Sequence, residues 1–213
     1  MTESVFERAL IAADEHPYIQ GTFPYHHVML DLETMGLPPR GAIISIGLCY
    51  FDIRTGEIGP TFERNIALDS SVERGMTIDQ GCVDFWNQSD TQVAFEILKQ
   101  DPVRLEVALM ELIDFITEHK KHPCLWGNGS NFDNVILEQA FKLCDLHFIA
   151  HFRQWRDMRT WVMLGAKLLG MNKAEMRADF NDEGFRKHVA IDDAILQAKI
   201  VSRIWQEAKR RIS

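Results

Sequence analysis

No stretch of this sequence stays apolar long enough to cross a membrane. The longest uncharged apolar run, Ala42 to Phe51, is ten residues, about half of the ~20 a spanning helix needs. The start of the chain has no basic cluster. Glu3 and Glu7 stand there instead, so it does not have the pattern of a signal peptide. Cysteine is sparse: Cys49, Cys82, Cys124 and Cys144 are scattered, with no pair at CxxC spacing. That argues against a zinc ribbon or a disulfide scaffold and for reduced thiols in or near a core. Positive charge is in deficit, with 23 Lys and Arg against 31 Asp and Glu, a net charge of −8. A broad basic surface that grips duplex nucleic acid is therefore not expected. Internal repeats and low-complexity tracts are missing, and so is any GxxxxGK[ST] phosphate loop. The pair Gly127-x-Gly129 is followed by Phe132 where a dinucleotide fingerprint needs its third glycine. What remains is a chain of 213 residues, 46% hydrophobic and 25% charged. This is the composition of a globular domain expected to be soluble and cytoplasmic.

The pattern divides the chain into two parts, residues 1–24 and 25–213. In the first, Ser4 and Glu7 form a capping box, and Val5, Phe6, Ala9, Leu10 and Ala13 recur at helical spacing. An amphipathic helix and a linker are expected there. From Val28 the period changes. Val28 to Leu32, Ile43 to Asp52 and Phe62 to Leu68 are predicted as strands in an antiparallel meander, with Arg54-Thr55-Gly56-Glu57 as a turn. Helices are expected over Ile78–Asn87, Thr91–Lys99 and Pro102–His119, then a buried strand at Cys124–Gly127 and a helix over Phe132–Leu143. A short strand at Trp155–Asp157 and helices over Thr160–Leu169 and Val189–Arg210 complete the pattern. Strands first, then helices alternating with single strands, give an α/β sheet covered by helices.

Three places carry residues suited to chemistry. Asp31 and Glu33 alternate along a strand, so both point to one face about 7 Å apart. Two carboxylates on a buried strand end are costly unless a cation holds them; capping of the following turn would also explain Asp31. Asp133 falls in the first turn of a helix, where the helix dipole alone would favour it. His188 precedes Asp192 and Asp193 at the entry of the last helix. On a regular helix His188 and Asp193 would lie about 140° apart, so they reach one site only if His188 sits in the preceding loop. Helical periodicity does not separate Asp192 from Asp193, since both lie off the apolar stripe. Asp179-x-Asn181-x-Glu183-Gly184 imitates the opening of a calcium loop, but its twelfth position is Ala190, not glutamate.

Together, Asp31-x-Glu33-Thr34, Asp133 at a helix start and His188 five residues before Asp193 resemble the DEDDh family of 3′–5′ exonucleases. The resemblance covers about residues 26 to 205. The phrases Asp31-Leu-Glu-Thr-Met-Gly36, Ile43-Ile-Ser-Ile-Gly47 and Asn131-Phe-Asp-Asn134 look closest to phage and prophage exodeoxyribonucleases and to a related small bacterial 3′–5′ exoribonuclease group. It implies a ribonuclease H-like fold, a mixed sheet in which a three-stranded meander is joined by parallel strands and flanked by helices. It also implies two Mg²⁺ ions, for which Mn²⁺ can substitute, held ~3.5–4 Å apart by Asp31, Glu33, Asp133 and Asp193. Asp31 would bridge both ions and His188 would be the general base.

The implied partner is a single-stranded nucleic acid with a free 3′ end, DNA being placed ahead of RNA, cut to nucleoside 5′-monophosphates. Thr34, Met35 and Asn131 are expected to touch substrate. Met35 is inserted where the commoner pattern runs Thr-Gly-Leu, so either Met35 or Leu37 would wedge against the terminal base. Trp86 is kept as a further base-stacking candidate. A homodimer is a family-based expectation. Two other readings use the same residues: a phosphodiesterase on very short RNA or nucleotides, and a non-catalytic nucleic-acid-binding module.

Overall fold

The computed structural model describes residues 24–119, 123–177 and 183–212. The expected N-terminal helix, and the first four positions of the calcium-like loop, lie outside these residues. The strand-forming runs assemble as β1 (His27–Thr34), β2 (Ile43–Phe51), β3 (Ile58–Asn65), β4 (Cys124–Gly127) and β5 (Trp155–Asp157). The helices are α1 (Leu68–Glu73), α2 (Gln80–Trp86), α3 (Gln92–Leu98), α4 (Leu105–His119), α5 (Asp133–Leu143), α6 (Met158–Leu168), α7 (Lys173–Met176) and α8 (Ala190–Ile212).

The five strands form one sheet in the order β3-β2-β1-β4-β5. β1 pairs antiparallel with β2 and β2 with β3, whereas β4 runs parallel to both β1 and β5. This is the expected α/β mixed sheet. The apolar, β-branched run of β2 is buried at all nine residues, as a central strand with both faces covered must be. Each fully buried Ile or Leu there contributes about 1.5–3 kcal/mol through the water it sheds. On one side the core is closed by α8, which lies along β1 and β2.

Some predicted elements shift. β3 begins at Ile58 and ends at Asn65, not at Leu68. Pro60 lacks an amide proton but sits on an edge strand, where no partner needs one. Ala67 then turns the chain, and the predicted end of the strand is instead the short helix α1. The helix expected from Pro102 starts at Leu105, because Val103 donates its N–H to the Asn65 carbonyl at 2.9 Å. Trp86 is not a base platform. It is 2% exposed, and its Nε1–H donates to the Thr34 carbonyl at 3.0 Å, tying α2 to the end of β1.

Candidate active site

The site begins with strand alternation. Asp31 and Glu33 occupy one face of β1, and Asp31 lies opposite Gly47 of β2. A side chain at Gly47 could not exist here: a Cβ would come within 2.1 Å of the Ala190 carbonyl carbon. Its absence lets the first turn of α8 rest against the sheet beside Asp31, which brings the residues around it into reach. A second close approach positions Asp133. A Cβ on Gly127 would meet Asn134 Oδ1 at 2.4 Å and Asp133 Cβ at 3.3 Å. Without that atom, α5 opens directly over the end of β4. Asp133 is 4% exposed, and its Oδ1 accepts the Leu32 N–H at 3.2 Å.

His188 has φ +64, a left-handed conformation that ends the loop before α8. This resolves the angular problem posed by the sequence, since the histidine is outside the helix and not on its far face. Its N–H donates to Asp193 Oδ2 at 2.8 Å. Asp192 turns away: it accepts from Arg186 N at 2.9 Å and from Arg186 Nε at 2.8 Å. The result is a cluster in which ligand atoms of Glu33, His188 and Asp193 lie within 4.8 Å of one another. Asp31 and Asp133 fall outside that tight group. Each is tethered by a hydrogen bond, Asp31 from Gln197 and Asp133 from Leu32, yet both act on the site by charge.

The electrostatics follow from burial. Burial, then the charges of Asp133, Glu33 and Asp193, hold the Asp31 carboxyl well above the ordinary carboxylate range. Burial, with Asp193 and Asp133, pushes Glu33 up to about 8. Burial raises Asp133 to about 7 against the pull of the Leu32 N–H, and burial also raises Asp193. The His188 pKa is lowered by burial and by Lys187, against the pull of Asp193, which favours the neutral ring able to accept a proton. Hard oxygen donors crowded at a cost that a bound cation relieves without protonating them are a donor set that fits a divalent metal.

A model of the 3′–5′ exoribonuclease Rv2179c-like domain matches residues 26–205. The chain belongs to this Rv2179c-like family. It is a 3′–5′ exonuclease, and its fold is the ribonuclease H-like one. The nuclease domain of 3′hExo, a DEDDh family member bound to rAMP, is 18% identical with TM-score 0.55; the match covers 88% of this chain and 94% of that one. Cell-death related nuclease 4 is 17% identical with TM-score 0.57, over 85% of this chain and 64% of that one. Exonuclease I of E. coli, solved with zinc and single-stranded DNA, is 15% identical with TM-score 0.54, over 87% of this chain and 40% of that one. At these identities the structures share the fold. No curated protein matches the sequence. Among the described residues no helix is long and apolar enough to cross a membrane.

The Rv2179c-like site also places the expected substrate residues. Thr34 is 8% exposed, its hydroxyl donating to the Gly36 carbonyl at 2.9 Å. Met35 is 6% exposed and packs in the core, whereas Leu37 is 52% exposed. Asn131 is exposed in the loop before α5. Two neighbours of the Glu33–His188–Asp193 cluster are not among the residues that the sequence motifs mark. Phe85 packs edge-on against His188 with ring centroids 5.2 Å apart. Gln197 reaches Asp31 from α8; its spacing of four residues from Asp193, one helical turn, is the signal that could have found it.

The raised carboxyls set a direction for stability. In the unfolded chain such groups titrate near ~4, so in the absence of cations the folded protein binds more protons than the unfolded one above that pH. Its stability is therefore greatest at low pH and is lost progressively from ~4 upward until about 7 and about 8, the values of Asp133 and Glu33, are passed. In EDTA the melting temperature is expected to fall across this window, and saturating Mg²⁺ should flatten the fall. A melting temperature in EDTA that rises across the window would contradict the clustering of these carboxyls.

Proposed function

We propose that this chain hydrolyses single-stranded RNA from its 3′ end to nucleoside 5′-monophosphates. In this reading Asp31, Glu33, Asp133 and Asp193 hold two Mg²⁺ ions and His188 is the general base. The observation that carries it is the convergence of Glu33, His188 and Asp193 within 4.8 Å, at a point charged also by Asp31 and Asp133. Bound divalent cations supply counter-charge for the carboxylates and Lewis acidity toward phosphate oxygens and water, and Mn²⁺ can stand in for Mg²⁺.

The chain's own residues do the rest. Asp193 fixes the loop that carries His188 by accepting its N–H. The neutral imidazole takes a proton from a water molecule as that water attacks phosphorus. The bond from phosphorus to the 3′ oxygen of the penultimate nucleotide breaks, and that oxygen is protonated from solvent. The terminal nucleotide leaves with the phosphate on its 5′ carbon, and His188 returns its proton to water. Leu37, exposed beside the buried Met35, is the side chain of that pair able to press on the terminal base. Asn131 is a polar contact at the rim.

Placing RNA first departs from the expectation drawn from phage-like phrases. It rests on the family's description as an exoribonuclease domain. The test is a time course on 5′-labelled single-stranded RNA and DNA of matched sequence, with Mg²⁺ and with EDTA. The expected result is a ladder shortening one nucleotide at a time, only with metal, and faster on RNA. A faster DNA ladder would reassign the substrate. Hydrolysis of dinucleotides alone would favour the short-substrate phosphodiesterase, and inertness toward every strand would favour a binding module.

A further inference from the structure

Gln197 is 7% exposed and lies on α8 one turn beyond Asp193. Its Nε2–H donates to Asp31 Oδ1 at 2.7 Å. Its Oε1 is buried and has no hydrogen-bond partner among the described residues. The neighbouring buried positions of the helix are filled by Ala194, Leu196, Ala198 and Val201, which bring no polar side-chain atoms, and by Ser202, whose hydroxyl is satisfied by the Ala198 carbonyl at 2.9 Å. A buried carbonyl oxygen left unpaired bears its full desolvation penalty, so an amide here makes poor sense as packing alone. It makes sense beside a hydrated ion. Mg²⁺ dehydrates reluctantly and keeps several of its waters, and each such water is a hydrogen-bond donor.

We propose that Gln197 is a positioning residue of the metal centre. Its amide N–H holds one carboxylate oxygen of Asp31, and its carbonyl accepts a hydrogen bond from a cation-bound water. The inference rests on the metal-site reading above and adds a residue to it. The chemistry explains why glutamine suits the place. A neutral donor fixes the orientation of Asp31 without cancelling its charge. A lysine there would neutralise the carboxylate and compete with the cation, and an aliphatic side chain would leave Asp31 free to rotate. Partners of this kind, one step removed from the ion, are worth about 10–100-fold in metal affinity or activity.

The test titrates Mn²⁺ by calorimetry into the full-length protein without nucleic acid. It compares the wild type with Gln197→Met, which keeps the length and loses both polar groups, and with Gln197→Asn, which keeps the amide but withdraws it by one methylene. Both variants are expected to bind Mn²⁺ about 10–100-fold more weakly, with the cation-free melting temperature close to that of the wild type. At saturating Mn²⁺ the KM for an oligonucleotide should be unchanged and kcat should recover. If Gln197→Met fails to fold, Gln197→Asn decides the matter. Wild-type affinity in the folded variants would overturn the proposal, and so would a loss that appears only as a raised KM. A wild type that binds no divalent cation would overturn the metal-site reading itself, and this inference with it.

Discussion

Asp193→Asn is expected to lower turnover to background while Asp192→Asn retains most of it. The two side chains are neighbours in sequence and face different work. Asp193 contributes an oxygen to the cluster with Glu33 and His188 and also accepts the His188 N–H. Replacing it removes a charge from the proposed cation site and half the acceptor capacity that fixes the histidine loop. Asp192, 17% exposed, is engaged by Arg186, whose side chain is 46% exposed. Pairs this open to solvent contribute about 0–1 kcal/mol, too little to unfold the site. Initial rates on a labelled single-stranded oligonucleotide check the contrast, and Asp31→Asn should join Asp193→Asn at background. An active Asp193→Asn beside a dead Asp192→Asn would mean that the entry of α8 is out of register by one residue.

His188→Ala is expected to slow turnover about 10²–10⁴-fold, the range for loss of a general base, while Mn²⁺ and substrate binding persist. Burial and Lys187 favour the neutral ring, and the edges of Phe85 and Trp86 limit its movement. Its nitrogen also lies within ligand reach of Glu33 and Asp193, so the same variant separates base from ligand. Mn²⁺ affinity close to the wild type with a collapsed kcat supports the base. A collapse of Mn²⁺ affinity would make His188 a ligand.

Much of this site was legible because each motif coincides with a local structural signal. Strand alternation puts Asp31 and Glu33 on one face, and β4 and β5 are found where the short buried run Cys124–Gly127 and the short strand Trp155–Asp157 are predicted. Other features depend on partners that are distant in the chain, and no local pattern announces them. The start of α4 is set by Asn65, far upstream, capturing the Val103 N–H. Asp192 and Asp193 are equivalent by periodicity; in the structure Arg186 engages the first and the His188 N–H the second. Met35 has the flexible side chain suited to a base face, yet the backbone turns it into the core: its N–H goes to the Ala42 carbonyl at 2.7 Å, and its carbonyl takes the Asp79 N–H at 2.8 Å. Trp86 is drawn inward in the same way by the carbonyl of Thr34. Gly47 shows the opposite case, a residue whose role is visible only as the space it leaves for Ala190.

The most direct measurement uses a single-stranded RNA whose last internucleotide phosphate alone is radioactive. That phosphate is the one the site is built to attack. With Mg²⁺, all the label should leave in the first step as the nucleoside 5′-monophosphate, and neither EDTA nor Asp31→Asn protein should release any. Label that stays with the strand while it shortens from the other end, or that is released equally in EDTA, would contradict a metal-dependent 3′–5′ exonuclease built on these residues.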